Sequence, residues 1–425
     1  MASPDVAVVG AGLAGLSAAL ELRDAGCRVT LYERSRLVGG RATSFEVAGH
    51  EVDNGQHVFL ACCTEFIRFV ERAGMAEHIY LQPRFDVLAI SKSGKRGRLR
   101  AAPLRAPLHL AASFLTYRHL AWSARLRVIR ALRSIKDALR SEETFARWLS
   151  KQGQREEEIR AFWEPFVVPA LNAPLERISA ADAALVLWRA FFENANAARF
   201  GFARVPLAHI MNAAAQNIDQ VHLSTAVLAA DIGEDGRPFV ELIGGERRSY
   251  DAIVLAIPPR QLAKLLRNGE EYGLTALDNY EAMPIIDVHL WHDRRTLDFD
   301  FAALIASPVQ WIFQKGEGYI CCSVSAADKF ARLPTDQLAQ LAWREVRAAI
   351  PDLADATLLH SAVTRNPEAT YMPKGGALRP LQQTRRRSVA IAGSWTHTGW
   401  LDTMESAVRS GIAAAHSIDV VRNVA

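Results

Sequence analysis

The first 35 residues contain the pattern that most limits how this chain can fold. A β-branched run, DVAVVGAG, ends in glycine, the amphipathic segment LAGLSAALELRDAG follows and closes at Gly26, and CRVTLYER predicts a second strand. A strand, a helix and a second strand in this order begin a doubly wound parallel sheet. We therefore predict an α/β fold.

The loop after the first strand has the spacing GxGxxG. Its glycines permit a tight turn, a close approach to a pyrophosphate and packing of the helix on the strand, while the helix N-terminus attracts phosphates. Glu33, at the end of the second strand, can accept hydrogen bonds from both hydroxyls of an adenosine ribose. The pattern predicts a dinucleotide site that contains Gly10, Ala11, Gly12, Ala14, Gly15 and Glu33.

The chain returns to the sheet pattern twice. VHLSTAVLAADIGEDGRPFVELIGGERRSYDAIVLAIPP predicts a strand, a hairpin with a DG turn and a buried strand from Ala252 to Ile257, and RSVAIAGSW and the residues after it predict a strand, a loop and a helix. Between them, residues 76–205 indicate helices, and residues 275–380 indicate strands with a helix over about 335–350. We predict a discontinuous Rossmann-like nucleotide-binding domain, 1–75, 206–272 and 381–425, interleaved with an α+β substrate domain, 76–205 and 273–380.

Charge and cysteine usage narrow the class of protein. The formal net charge of +4 on 425 residues gives no indication of a nucleic-acid partner. The cysteines form no CxxC pair and no metal quartet, so we expect no metal site, and we expect buried thiols in a reducing, cytoplasmic compartment. They are Cys27, Cys62, Cys63, Cys321 and Cys322. The N-terminus lacks the features of a signal peptide, and no run of 18 apolar residues predicts a spanning helix.

Residues 95–140 are strongly basic. This segment carries twelve Lys or Arg and a single acid, Asp137, among apolar runs and the aromatics Phe114, Tyr117 and Trp122. Two interpretations stay open: a solvated helix face packed on the core, or an amphipathic segment on the anionic inner face of a membrane.

The residues after Glu33 resemble the flavin amine oxidase and carotenoid desaturase superfamily. Arg34 is followed by LVGGRAT, which is similar to that superfamily's RxGGR segment, and Ile391–Ser394 with Thr403–Gly411 is similar to its C-terminal flavin motif. The resemblance implies FAD as cofactor, with Arg41 along its phosphates. The superfamily usually has Asp where Ser394 stands, which implies a weaker contact to the ribityl chain here. The further FAD contacts that it implies are Arg34, Gly39, Gly40, Arg41, Gly55, Gln56, His57, Val227, Gly393, Ser394, Thr403 and Met404.

The whole chain resembles, more narrowly, the hydroxysqualene dehydroxylase family of squalene and hopanoid biosynthesis. The resemblance rests on DNGQHVFLACCTEF, FWEPFVVPALNAPLERISA, RVPLAHI, DVHLWHD and GSWTHTGWLDTMESAVRSG. It implies reductive removal of the hydroxyl of hydroxysqualene to give squalene, with hydride passing from reduced flavin to an allylic cation in a dry tunnel. The alternatives are a phytoene- or dehydrosqualene-type desaturase, an amine-oxidase-like or protoporphyrinogen-oxidase-like flavoenzyme, or a flavin-free isoprenoid carrier.

The proton donor has several candidates. His57 comes first because it titrates near neutrality and the resemblance implies that Gly55-Gln56-His57 passes beside the flavin. Glu164, whose pKa would rise if it were buried, is second. His397, Asp402 and Glu405 follow.

Tunnel walls are predicted from Trp163, Phe166, Trp188, Phe191, Phe192, Trp291, Trp311 and Phe313. With no second GxGxxG in the chain, we expect NADPH, a partner reductase or neighbouring pathway enzymes to supply electrons transiently.

Overall fold

The computed structural model describes residues 3–47, 49–275, 277–294, 297–374 and 377–422. Its first layer is a parallel five-stranded sheet. The central strands are buried along almost their whole length, which explains their apolar sequence. The strand order is Gln220–His222, Arg28–Tyr32, Asp5–Val9, Ala252–Leu255 and Val389–Ile391.

Two helices with small residues at their contact pack on this sheet. Leu13–Asp24 follows the glycine loop, and Met404–Ser417 packs against it. A Cβ on Gly411 would lie 2.3 Å from the carbonyl oxygen of Ala14, so the helices approach closely only because residue 411 has no side chain.

A mixed seven-stranded sheet forms the second layer. Along Tyr280–His292 the side chains alternate, so that Ile286, Val288 and Leu290 pack in a core with helix Thr335–Ala349 while Asp287 and His289 belong to the opposite face. The strand order is Leu358–Pro373, Tyr280–His292, Tyr319–Val324, Trp311–Gly316, Phe301–Ile305, Asp86–Ser91 and Arg96–Arg100.

Three small sheets and a helical layer complete the described part of the chain. The small sheets are Val227–Ile232 with Pro238–Leu242 and Arg247–Ser249; Ser44–Val47 with His50–Asp53; and Phe59–Leu60 with Phe200–Ala203 and Ile79–Leu81. The other α-helices are Thr64–Arg72, Ala111–Leu115, Trp122–Arg133, Ile135–Ala138, Phe145–Lys151, Glu156–Glu158, Glu164–Leu171, Ala180–Phe191, Leu207–Ala215, Pro259–Leu265 and Asp419–Arg422, with a π-helical turn at Ile159–Trp163.

Asn172 joins the helical layer to the mixed sheet. It ends helix Glu164–Leu171 in the left-handed conformation, with φ of 48°. Its side-chain N–H groups donate to the carbonyl of Met283 and the hydroxyl of Thr370, both at 3.0 Å, and its oxygen accepts from the N–H of Ala326 at 2.7 Å. A buried amide that satisfies three partners fixes one wall of the site described below.

The α/β fold predicted from the sequence is confirmed, and so are the first strand-helix-strand unit and the helix near residues 335–350. The strand predicted over Ala252–Ile257 ends at Leu255, before the two prolines that cannot donate to a sheet. The helical prediction for residues 76–205 is wrong at its two ends, where Asp86–Ser91, Arg96–Arg100 and Phe200–Ala203 are strands.

The first two of these strands form a local hairpin, Asp86–Ser91 with Arg96–Arg100, and the apolar run DVLAI before the SKSG turn was the available signal. Phe200–Ala203 instead pairs with Phe59–Leu60 and Ile79–Leu81, far along the chain, so no local pattern identifies it. The domain boundaries stay a prediction; the strands of the parallel sheet all fall within 1–75, 206–272 and 381–425, and those of the mixed sheet within 76–205 and 273–380. Among the described residues, none of the helices combines the length and the apolar composition that a membrane span needs.

Candidate active site

A cavity of about 1070 Å³ lies between the parallel sheet and the mixed sheet. One part of its wall comes from the glycine loop, the end of the second strand, the segment after it and the start of the C-terminal helix. The other part comes from helices and from strands of the mixed sheet. Its lining contains the predicted residues Gly10, Gly12, Ala14, Glu33, Arg34, Gly39, Gly40, Arg41, Gly55, Gln56, His57, Val227, Gly393, Ser394, Thr403 and Met404.

Glycine is needed at different positions of the first loop for different physical reasons. Gly10 has φ of 102°, and a Cβ on it would lie 2.5 Å from the carbonyl oxygen of Ala256; a Cβ on Gly15 would lie 1.8 Å from the carbonyl oxygen of Gly10. Both residues are therefore required by packing. Gly12 has φ of −72°, and a Cβ there would meet nothing within 4 Å. Gly12 leaves an open cradle at the N-terminus of Leu13–Asp24, as a bound phosphate requires.

Two predicted nucleotide residues, Ala11 and Gly15, are not part of the lining. Gly15 acts by packing. The backbone N–H of Ala11 donates to Glu33 at 2.8 Å, and the second carboxylate oxygen of Glu33 accepts from the N–H of Ser35 at 2.8 Å. Glu33 thus stands at the cavity edge with its carboxylate oriented by the backbone.

The second glycine turn packs directly on the first. The N–H of Gly39 donates to the carbonyl of Ala11 at 2.7 Å, and a Cβ on Gly40 would lie 3.1 Å from the Cα of Gly12. Gly39 and Gly40 have φ of 100° and 59°. Both glycines are therefore needed to bring Arg41 to the cavity.

Arg41 binds the segment around Ser394. Its guanidinium donates to the hydroxyl of Ser394 at 2.6 Å and the carbonyl of Ala369 at 2.7 Å, and it lies 3.4 Å from the carboxylate of Asp402. Asp402, which is nearly buried, also accepts from the N–H of Tyr371 at 2.5 Å. Residue 394, where the superfamily usually has Asp, is thus a serine, and it lies beside the pair formed by Arg41 and Asp402.

The C-terminal helix points its N-terminus at the cavity. The side chain of Thr403 caps this helix by accepting from the N–H of Ser406, and Met404 and Ala407 line the cavity. Helix Met404–Ser417 has 14 residues, so its dipole favours electron-rich groups at this end.

His57 lines the cavity and is held by its own turn. Its Nδ1–H donates to the carbonyl of Gly55 at 2.7 Å, which fixes the tautomer and leaves Nε2 as an acceptor. Burial lowers the pKa of His57, although the Gly55 carbonyl opposes this shift. The imidazole is therefore mainly neutral at pH 7, and a proton must reach it before it can serve as an acid.

Asp287, which the sequence analysis missed, lies behind the same turn. Its carboxylate is 3.3 Å from the position that a Cβ of Gly55 would take, and the Ser323 hydroxyl and the Gln56 N–H face it. The side chain is 1% exposed, and burial raises its pKa to about 6 despite these groups and Lys315, while Asp53 adds to the rise. Ser323 lines the cavity directly opposite Asp287 in the sheet. The DVHLWHD segment, which opens with an acid inside a strand that is otherwise mainly apolar, was the available signal.

Replacing Asp287 with Asn should remove a pH-dependent contribution to stability. A pKa raised from 3.8 to about 6 means that protonation favours the folded protein, so this contribution is present below pH 3.8 and is lost as the pH rises through 6. The difference in the free energy of unfolding, wild type minus D287N, is expected to fall by about 2 kcal/mol between pH 4 and pH 7. Urea unfolding at each pH measures this difference.

Asp293→Asn is the matched control, because a hydrogen bond from Thr357 lowers the pKa of Asp293 and the trend should have the opposite sign. A wild type minus D287N difference that stays constant with pH would contradict the assignment.

The remaining candidate acids do not line the cavity, or are already paired. Burial raises the pKa of Glu164, but its side chain is not part of the cavity wall, to which its helix contributes Pro165, Phe166, Pro169 and Ala170. His397 is exposed and outside the wall. Glu405 lines the cavity but binds Arg409 at 2.7 Å and caps helix Thr64–Arg72.

The predicted tunnel aromatics divide into two groups. Phe166, Phe191, Trp311 and Phe313 line the cavity, together with Phe85 and Phe200, which the sequence analysis did not select. The other four are not in the wall. Trp163 is buried and donates to Gln154, Trp188 stacks on Phe192, and Trp291 stacks on Tyr319.

Two cysteines depart from the expected burial. Cys27, Cys321 and Cys322 are buried, but Cys62 and Cys63 are partly accessible and line the cavity. A hydrogen bond from the Cys63 thiol lowers the pKa of Cys62, and Arg189 contributes to the same shift. The apolar run VFLACC therefore forms cavity wall as well as core.

The residues present fit a flavin dinucleotide. The open cradle at Gly12 suits a pyrophosphate, Glu33 suits a ribose, and the helix N-terminus at Met404 suits the electron-rich side of a flavin ring.

Comparison with known proteins gives a consistent class. A family profile described as flavin containing amine oxidoreductase matches residues 13–419. A probable zeta-carotene desaturase of Synechococcus elongatus is 25% identical over 476 aligned positions, covering 97% of this chain and 98% of that protein. A hydroxysqualene dehydroxylase of Zymomonas mobilis is 26% identical over 437 positions, covering 96% and 97%.

Solved structures of the same fold include two amine oxidases. Putrescine oxidase bound to putrescine matches with a TM-score of 0.73 at 17% identity, covering 98% of both chains. Cyclohexylamine oxidase from Brevibacterium oxydans matches with a TM-score of 0.72 at 19% identity, covering 99% of both. These likenesses bear on the fold, and they agree with a Rossmann-like FAD domain.

Proposed function

Because the chain belongs to the flavin containing amine oxidoreductase family and therefore uses a flavin, we propose that it is an FAD-dependent enzyme that converts hydroxysqualene to squalene. The proposal is supported by relatives of that activity that match along almost the whole chain, at 26% identity in the example from Zymomonas mobilis. The observation that carries it is an apolar, aromatic cavity wall that meets the Gly55-Gln56-His57 turn.

The chain's own residues would hold the cofactor at the nucleotide part of the cavity. Gly12 and the helix N-terminus behind it would hold the pyrophosphate, Glu33 the ribose, and Thr403 and Met404 the ring. When bound in its reduced form, flavin supplies a hydride.

The rest of the wall would exclude water and hold a long hydrocarbon. Phe166, Phe191, Trp311 and Phe313 give it an aromatic surface, and Pro165 and Leu187 add aliphatic surface. Burying a chain of thirty carbons against such a wall is favoured by about 0.8 kcal/mol for each CH₂ group. A cation that develops on an allylic carbon would be protected from water there.

His57 would move the proton. In the neutral ring Nδ1–H is committed to Gly55, so protonation at Nε2 creates the acidic group that faces the cavity. Asp287 behind the turn, with Ser323 between it and the cavity, would supply a protonated carboxyl near pH 6. Breaking the C–O bond would then release water rather than hydroxide.

A desaturase is the second candidate function, because a probable zeta-carotene desaturase matches this chain at nearly the same identity and coverage. The two functions differ in direction: a desaturase needs oxidised flavin and a hydrocarbon. We expect that zeta-carotene, dehydrosqualene, putrescine and cyclohexylamine leave the oxidised flavin unreduced under anaerobic conditions. Bleaching of the flavin by one of them would support that compound class instead.

We also propose that NADPH or a partner reductase reduces the flavin transiently.

The enzyme is proposed to take its substrate from the cytoplasmic face of a membrane. A surface patch of exposed apolar residues, the 104–126 patch, lies within the basic segment: Leu104, Leu108, Leu115, Trp122 and Leu126. Leu108 and Trp122 are 62% and 58% exposed. Beneath the patch, Phe114 contacts Phe162, and Phe162 contacts the cavity residue Phe166, with ring centres 5.3 and 5.8 Å apart.

Replacing Trp122 and Leu126 together with Glu should release the protein from anionic membranes, because two apolar anchors become charges of the same sign as the lipid. We expect at least about tenfold weaker co-sedimentation with phosphatidylglycerol vesicles. Leu359→Glu is the matched control, since Leu359 is 66% exposed on a strand outside the patch. Equal sedimentation of the wild type and the double variant would show that the patch is a solvated helix face and does not bind the membrane.

A further inference from the structure

One guanidinium in the cavity wall has a buried N–H group with no hydrogen-bonding partner among the residues that the structure describes. Arg189 belongs to helix Ala180–Phe191 and lines the cavity. Its guanidinium carbon lies 4.8 Å from the centre of the Trp400 ring. Its Nε is buried, and no acceptor within the described ranges reaches it.

The other charged groups near this part of the wall are already engaged. Arg41 binds Ser394, Ala369 and Asp402, and Glu405 is paired with Arg409. Neither acid is left over for Arg189. Trp400 holds the flat face of the guanidinium, but a ring accepts no hydrogen bond in the plane of the N–H groups.

The surroundings of Arg189 make an unpaired cation costly. Leu185, Val186, Ala190 and Phe191 of the same helix also line the cavity, so the guanidinium stands in an apolar wall. A buried N–H of a cation without an acceptor is unfavourable, whereas an acceptor from a ligand would satisfy it. The arrangement therefore favours a ligand that carries an oxygen.

We propose that Arg189 is a head-group subsite, which binds the oxygen of a long apolar ligand whose chain lies along the aromatic wall. The planar fork of N–H groups suits an oxygen acceptor, and its stacking on Trp400 fixes its orientation before the ligand arrives. Only the identity of the ligand rests on the proposed function, under which that oxygen is the hydroxyl of hydroxysqualene. A pure hydrocarbon would leave Arg189 unpaired.

Three ligands with sixteen carbons test the subsite without turnover. Hexadecanoate, hexadecan-1-ol and hexadecane, delivered from cyclodextrin, are titrated into the flavin-loaded protein, and the change in tryptophan fluorescence gives the affinity. We expect hexadecanoate to bind at least about tenfold more tightly than hexadecane, with the alcohol between them, because charge-assisted hydrogen bonds are the stronger ones.

Arg189→Met should remove this order while leaving the affinity for hexadecane within about twofold, because the methionine keeps the apolar stem. Arg189→Lys should keep part of the preference for the carboxylate. Arg204→Met is the matched control, since Arg204 is an exposed arginine that stacks 5.0 Å from the centre of the Tyr80 ring, and neither residue is part of the cavity wall.

Two results would overturn the subsite. An unchanged preference for hexadecanoate in R189M would show that the guanidinium does not bind the head group, and loss of flavin from R189M would assign Arg189 to the cofactor instead. Failure of the proposed function looks different: the order of affinities would stand, but hydroxysqualene would not be converted.

Discussion

Gly12→Ala protein is expected to fold like the wild type and to lose at least about nine-tenths of its flavin. Gly12 has an ordinary φ of −72°, and an added methyl group would touch no protein atom within 4 Å. The methyl group would instead occupy the cradle where a pyrophosphate must approach the backbone. Flavin absorbance per protein measures the loss, and the melting temperature of flavin-free protein measures the fold.

Gly15→Ala separates packing from binding. Its methyl group would lie 1.8 Å from the carbonyl oxygen of Gly10, so the helix would have to move away from the strand. We expect the melting temperature of flavin-free G15A to fall by more than about 5 °C, which corresponds to a loss of about 4 kcal/mol in the free energy of unfolding for a chain of 425 residues. If G12A keeps its flavin at the wild-type level, the phosphates do not lie on this loop.

Replacing His57 with Gln should lower squalene formation at least about 100-fold, the usual contribution of a general acid, with flavin content unchanged. Burial lowers the pKa of His57, so the protonated fraction grows as the pH falls below 7. The wild-type rate should therefore rise toward acid pH, and H57Q should lose this rise. Rates of flavin reoxidation by hydroxysqualene between pH 5 and pH 8 measure both effects.

His209→Gln is the control for the loss of an imidazole, since His209 is exposed and pairs with Glu51 at 3.3 Å. It should react at the wild-type rate. If H57Q stayed within about tenfold of the wild type and kept the same pH dependence, His57 would be a positioning residue and another group would supply the proton.

The nucleotide part of the site follows from the sequence because its residues are close along the chain. GxGxxG, Glu33 and GGR lie within one strand-helix-strand unit and the turn after it. A position that requires a positive φ, such as residue 39, can be recognised in the sequence because it is a glycine. The flavin helix at Met404 is equally local, with Thr403 as its cap.

The substrate part could be predicted only in outline, because it depends on pairing across the chain. Asp287 reaches the Gly55 turn only when Tyr280–His292 pairs with Tyr319–Val324 and the mixed sheet packs below residue 55. Arg189 looks like any arginine of an amphipathic helix until Trp400, about 200 residues later, stacks on it. For the same reason Trp163 and Phe166, three residues apart, could not be assigned to core or wall in advance.

Under the proposed function, this flavin enzyme removes a hydroxyl group reductively from a long isoprenoid. The most direct measurement is a single turnover without oxygen, in which photoreduced protein is mixed with hydroxysqualene and both the flavin absorbance and the extracted lipid are followed. We expect that the flavin reoxidises and that one squalene appears for each flavin. Flavin that stays reduced in contact with hydroxysqualene, with no squalene formed, would contradict it.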